Sequence, residues 1–101
     1  MFTAKELNKI DRHYFNVIQA GCYCVTLQSK NTQHYWHITH LEYPAFTSCQ
    51  IEHKHNYSDS YHQHGHSKTL AQALQSIKAH DAFQLNGRRA RRKPAGSKST
   101  K

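Results

Sequence analysis

Three successive stretches of this chain alternate in polarity with a period of two, and that pattern commits its centre to a sheet. Cys22-Tyr23-Cys24-Val25-Thr26-Leu27-Gln28 places Tyr23, Val25 and Leu27 on one face. His34-Tyr35-Trp36-His37-Ile38-Thr39-His40-Leu41 is rich in aromatic and β-branched residues. Ser48-Cys49-Gln50-Ile51-Glu52-His53-Lys54-His55 sets Cys49 and Ile51 inward and Gln50, Glu52 and Lys54 outward. In extended backbone alternate side chains share a face, so each stretch has an apolar and a polar edge. Ser29-Lys30-Asn31-Thr32 is turn chemistry and predicts a hairpin between the first two strands. Tyr43-Pro44-Ala45 breaks the second strand, because proline cannot donate to a ladder. Residues 56–66 read as a loop, with room for a short fourth strand.

Helical signals flank the sheet. Thr3 and Glu6 form a capping box, and Phe2 and Leu7 occupy the staple positions around it. Leu7, Ile10, Tyr14, Val17 and Ile18 follow at helical spacing, and Gly21 suits a C-terminal stop. The spacing predicts a first helix from about residue 4 to about 20. Ser67 or Thr69 can cap a second helix whose buried stripe is Leu70, Ala73, Leu74 and Ile77. Asp81 falls on the same stripe, which predicts an end near His80; Phe83 and Leu85 would then tuck back onto the sheet. The expected fold is a small α+β domain of order α-β-β-β-α. Its antiparallel sheet has three strands, or four, with both helices on one face. The other face would carry Cys22, Cys24, Thr26, Gln28, Gln50, Glu52 and Lys54.

With 101 residues the chain has room for one domain. Its formal net charge of +8 is concentrated at one end. Residues 87–101 hold Arg88, Arg89, Arg91, Arg92, Lys93, Lys98 and Lys101 and no acidic residue. Residues 1–86 hold seven basic and six acidic groups and are close to neutral. The division expected is a folded domain over 1–86 and a disordered basic tail over 87–101, since the tail has no large apolar residue to offset its ordering entropy. Five cations in six positions, Arg88 to Lys93, point to phosphate binding on RNA or DNA, with Lys68 supplementing them. The bland alternative is a solubilising terminus or a membrane-surface contact. Phosphate contacts carry no sequence preference.

Three cysteines and ten histidines invite metal and catalytic readings. Cys22, Cys24 and Cys49 lack the usual zinc spacing, and the strand pattern puts Cys49 on the face opposite to the other two. A buried Cys49 and two surface thiols are the simpler reading. His62, His64 and His66 alternate and can share a face, with His53 and His55 nearby. That set favours weak or adventitious binding of zinc, nickel or copper rather than a built site, because no carboxylate lies within the triplet. Cys24 or Cys49 with His37 or His53, plus Asp59, could be assembled into a catalytic set, but so many histidines produce such pairings by chance. No phosphate loop, nucleophile elbow or His-Glu-x-x-His motif is present, so no enzyme and no required cofactor is expected. Trp36 reads as core, while Tyr57 and Tyr61 are the better surface aromatics.

Gly65-His66-Ser67-Lys68-Thr69-Leu70-Ala71 resembles the start of the last helix of double-stranded-RNA-binding domains, where such residues set the helix N-terminus on a phosphate. Thr69-Leu70-x-x-Ala73-Leu74-x-x-Ile77-Lys78, after a Tyr35-Trp36 strand, is similar to the helix of HicB-type antitoxins. Each covers only a stretch of amphipathic helix, and neither assigns a family. The leading expectation is a non-enzymatic, cytoplasmic nucleic-acid-binding protein. The alternative is a phage or mobile-element inhibitor or adaptor, of an anti-CRISPR-like, anti-defence kind. It would grip a host protein or nucleoprotein complex through Tyr57, Tyr61, Gln50, Glu52 and Lys54. A third reading is a His-rich metal-binding protein. A homodimer is compatible with an open polar face. No apolar run approaches the roughly 18 residues of a membrane span, and no h-region follows the start, so neither a membrane protein nor a standard secreted one is expected.

Overall fold

The computed structural model describes residues 1–42 and 47–92. Its elements are α1 (Ala4–Asn8), β1 (Phe15–Ala20), β2 (Cys24–Ser29), β3 (Tyr35–Glu42), β4 (Thr47–Lys54), β5 (His62–Ser67) and α2 (Leu70–Arg92). The strands form one antiparallel sheet in the order β1-β2-β3-β4-β5, a simple meander. The α+β class and the antiparallel sheet agree with the sequence pattern. The strand count does not: the described residues form five, not three or four.

The first extra strand replaces the far part of the expected first helix. The capping box at Thr3 and Glu6 is present, with Glu6 N–H donating to Thr3 Oγ1 at 3.1 Å and Thr3 N–H to Glu6 Oε1 at 2.9 Å. It caps a helix of only five residues. Asp11 then accepts from the backbone N–H groups of His13 and Tyr14 at 2.9 and 3.3 Å, which turns the chain where a helix would have continued. The following Tyr-Phe-Asn-Val-Ile run is aromatic and β-branched, and it pairs with β2 as an edge strand. Gly21 lies in the β1–β2 turn, where its N–H donates to Cys24 O at 2.9 Å.

The second extra strand is β5, inside the segment read as a loop. Residues 56–61 do connect β4 and β5, but His62–Ser67 pairs along β4. The β2–β3 hairpin is as expected, closed by Gln33 in the left-handed region at φ 66°. The break expected at Tyr43-Pro44-Ala45 lies outside the described residues.

The core lies between one sheet face and α2. Val25, Leu27, Trp36, Ile38, Cys49 and Ile51 come from the sheet; Leu70, Ala73 and Ile77 come from α2. Phe2 and Ile10, which flank α1, seal one end, and Leu7 of α1 packs partly buried against the core. Trp36 is fully buried and donates its indole N–H to Ser29 Oγ at 3.1 Å.

The expected stop near His80 is also overturned. Asp81 sits on the buried stripe without ending the helix, because two hydroxyls satisfy its carboxylate. Tyr14 Oη donates to Oδ2 at 2.7 Å and Thr32 Oγ1 to Oδ1 at 3.1 Å. Burial, then the bond to Asp81, pushes the Tyr14 phenol up to about 12. The helix therefore runs on for a further 11 residues, through Arg92. Residues 87–92, expected to be disordered, are its last turns; residues 93–101 lie outside the described residues.

Candidate functional site

Two regions carry more chemistry than a core requires: the end of α2, and the sheet edge where β4, β5 and α2 meet. The α2 end follows from the helix itself. Leu70, Ala73, Ile77 and Asp81 are buried, at intervals of three and four. Past Asp81 no residue through Gly87 is buried, and Phe83 is 64% exposed. Eleven residues at about 1.5 Å each carry the helix roughly 16 Å beyond Asp81. The helical backbone carries Arg88, Arg89, Arg91 and Arg92 in this last stretch, and Lys93 lies outside the described residues. Lys68 is exposed at the other end of α2, some 30 Å from Arg88 along the helix, so it is not part of one patch with the arginines.

The outer sheet face gathers most of the residues expected to meet a partner. Tyr35 pairs with Lys54, His37 with Glu52 and Thr39 with Gln50, so Gln50, Glu52 and Lys54 share that face. The Lys54 ammonium lies 4.5 Å from the Tyr61 ring centroid, 5.2 Å from that of Tyr57 and 5.5 Å from that of Tyr35. It also donates to Tyr57 O at 2.7 Å. Tyr57 is 79% exposed. Burial, followed by Tyr35 and Glu52, holds the Tyr61 phenol above its ordinary range. The cation thus sits inside an aromatic bracket, where each ring contact contributes about 0.5–1 kcal/mol at most.

The third arrangement is a cluster of imidazoles beneath the sheet. His53 continues the inward alternation of Cys49 and Ile51, and its ring stacks on Trp36 with centroids 4.1 Å apart at 24°. It is 3% exposed, and His34 is 6% exposed. His53 Nε2 and His34 Nδ1 are 3.1 Å apart, a hydrogen bond whose donor is set by the tautomers of the two rings. His64 arrives through a bulge. Glu52 pairs with Gln63 and Ile51 with Gly65, which leaves His64 as the unpaired extra residue. A bulge re-aims the side chain it carries; here His64 turns inward, 5.1 Å from Trp36 and 4.7 Å from His80, centroid to centroid. His80 reaches the same spot from α2, three residues after Ile77, and its ring centroid is 5.2 Å from that of His53.

Two groups of three imidazoles have ligand nitrogens all within 4.8 Å of one another: His34, His53 and His55, and His53, His64 and His80. Burial, then the neighbouring imidazoles, pushes His53 down to about 3, and the same causes lower His64. Both rings are neutral near pH 7, the form that binds metals. His80 Nε2 is buried with no hydrogen-bond partner, at a cost of about 1–3 kcal/mol.

Of the histidines expected from the sequence, His53, His55 and His64 fall within these two groups, His55 at an exposed position. His62 and His66 are exposed, and His66 faces outward opposite Gln50. Sequence reasoning missed His34 and His80. His80 had a signal in its spacing from Ile77, and His34 had one in its alternation with Trp36 and Ile38. The three cysteines are free thiols; Cys49 is buried and Cys22 exposed, and burial raises the Cys49 thiol. Of the catalytic set considered above, His37 Nδ1 is 3.0 Å from Thr26 Oγ1, and Asp59 accepts from Asn56. Compared with protein-family models, curated proteins and solved structures, the chain matches none. Among the described residues no helix is long and apolar enough to cross a membrane.

Proposed function

We propose that this chain is a non-enzymatic nucleic-acid-binding protein whose basic end grips phosphates of RNA or DNA. The observation that carries the reading is the free part of α2. A helix draws most of its stability in a small domain from burial on one side, and this one continues past Asp81, with no residue from Ala82 through Gly87 buried, into a segment of arginines without a single acidic residue after Asp81. Nothing in the core accounts for that length, whereas a polyanion accounts for both the length and the charge. Arg88, Arg89, Arg91, Arg92 and Lys93 supply the phosphate contacts. Lys68 belongs to a second, weaker contact at the far end of the helix.

The test is fluorescence anisotropy with labelled single-stranded and duplex oligonucleotides of both sugars. The full chain and a variant lacking residues 88–101 are compared. Binding by the full chain and its loss on truncation support the reading; equal affinity of the two proteins rejects it.

One observation favours a second reading, that of an inhibitor or adaptor on a host protein. Tyr35, Tyr57 and Tyr61 around Lys54 make a preformed amphipathic patch on the outer sheet face, and tyrosine is enriched at protein interfaces. A stoichiometric protein partner that survives nuclease treatment of a lysate, and is lost on Tyr57→Ala, would favour this reading over the first.

A further inference from the structure

The imidazole cluster is not needed for phosphate binding, since it is buried beneath the sheet while the arginines lie beyond it. A cluster of neutral rings can simply fill space, so the case for a site rests on three independent features of the geometry. The first is orientation. The rings of His53, His64 and His80 stand at 67°, 77° and 76° to one another. A nitrogen lone pair lies in the plane of its ring; the three ligand nitrogens lie within 4.8 Å of one another, and three inclined planes share one common point. The other group lacks this property: His34 and His55 are stacked at 4.2 Å and 8°, so their lone pairs lie in parallel planes that do not meet. The second is the unpartnered, buried Nε2 of His80, which has lost water and gained no protein partner in exchange. The third is construction. The three rings come from a regular strand, a bulge and a helix, the bulge is what turns His64 inward, and His34 is hydrogen-bonded to His53 and holds its ring. Outer-shell bonds of this kind orient ligating histidines.

From these features we propose that His53, His64 and His80 form a binding site for a first-row divalent transition-metal ion, zinc being the ion tested. An all-imidazole set excludes calcium and magnesium, which take oxygen ligands. Zinc–nitrogen bonds of about 2.0–2.1 Å require the nitrogens to close in by roughly 1.5 Å at most, a movement within the range of χ rotations. A fourth ligand position is left to water or to His62, whose ring centroid is 5.3 Å from that of His53.

The experiment uses the full chain without a histidine tag, stripped with chelator and titrated with zinc chloride by calorimetry. The single tryptophan reports on the site, because its ring lies 4.1 to 5.5 Å from all three imidazoles. The site predicts one zinc per chain, a raised melting temperature, and quenching of Trp36 by one equivalent of cobalt(II). His80→Gln and His64→Gln weaken zinc at least tenfold, and His66→Gln leaves it unchanged. Absence of saturable zinc binding would overturn the proposal. So would tight binding that survives His80→Gln but is lost in His55→Gln, or in His62→Gln with His66→Gln. Should the His80 and His64 variants fail to fold, the cobalt titration of the unaltered chain decides: no quenching at one equivalent overturns the site.

Discussion

The two halves of α2 obey different rules. From Leu70 to Asp81 every third or fourth residue is buried, and even a carboxylate is drawn into the core and satisfied there by Tyr14 and Thr32. From Ala82 through Gly87 no residue is buried while the helix continues, and the charge after Asp81 is wholly positive. The inner half is explained by packing alone. The outer half is not, which is why it carries the functional proposal. The contrast has a direct consequence: changes in the inner half should cost stability and leave phosphate affinity of the folded protein alone, and changes in the outer half should do the reverse.

The largest effect is expected at the inner half. Ile77→Ala removes a fully buried side chain between helix and sheet and should destabilise by about 2–5 kcal/mol in chemical denaturation. Oligonucleotide affinity measured well below the denaturation midpoint should be unchanged. Next comes the outer half: replacing Arg88, Arg89, Arg91, Arg92 and Lys93 by glutamine should weaken oligonucleotide binding about 100-fold at low salt, with the denaturation midpoint hardly moved. A large loss of stability in that variant would show that the outer half is packed after all.

Acid should act on the body and not on the helix end. In metal-free protein His53 takes up its proton only near pH 3, while in the unfolded chain it does so near 6.5. Over that window the unfolded state binds more protons, so stability falls as pH falls, by up to about 1.4 kcal/mol per unit. His64 is shifted in the same direction. Denaturation midpoints measured from pH 7 to 4 should decline, and His53→Gln should flatten the decline. A profile level across that range would contradict the buried cluster.

Smaller still is Tyr14→Phe, which removes one bond to Asp81 and should cost about 1 kcal/mol at pH 7. The same change should abolish an alkaline effect. The phenol is held protonated to about 12 in the folded state against 10 unfolded, so its contribution is full below pH 10 and is lost as pH rises through 12. Phe83→Ala, at 64% exposed, should stay within about 0.5 kcal/mol of the parent.

The sheet was legible because period-two alternation in β2, β3 and β4 is a direct consequence of strand geometry, and Cys49, Ile51, Val25 and Leu27 are buried as that pattern requires. What could not be read was settled by contacts distant in sequence. Capping signals at Thr3 and Glu6 start a helix but do not set its length; Asp11 and the β-branched run after it do. β5 is built of His, Gln, Gly and Ser, residues with little preference for strands, and it exists because β4 offers it a ladder. Asp81 looked like a stop because nothing in its neighbourhood of sequence announces that Tyr14 and Thr32 will meet it. Within the imidazole cluster, His53 was legible by alternation and His80 by its spacing from Ile77. Their meeting with His64 was not, since it depends on a bulge whose position only the pairing of β4 with β5 reveals.

The measurement that tests the central claim most directly is the salt dependence of oligonucleotide binding for the full chain and for the chain ending at Gly87. If the basic end of α2 meets phosphates, the logarithm of affinity falls steeply with that of salt for the full chain. Truncation flattens the slope by about 0.7–0.9 for each contact removed. Two parallel lines of equal slope and height would contradict the account.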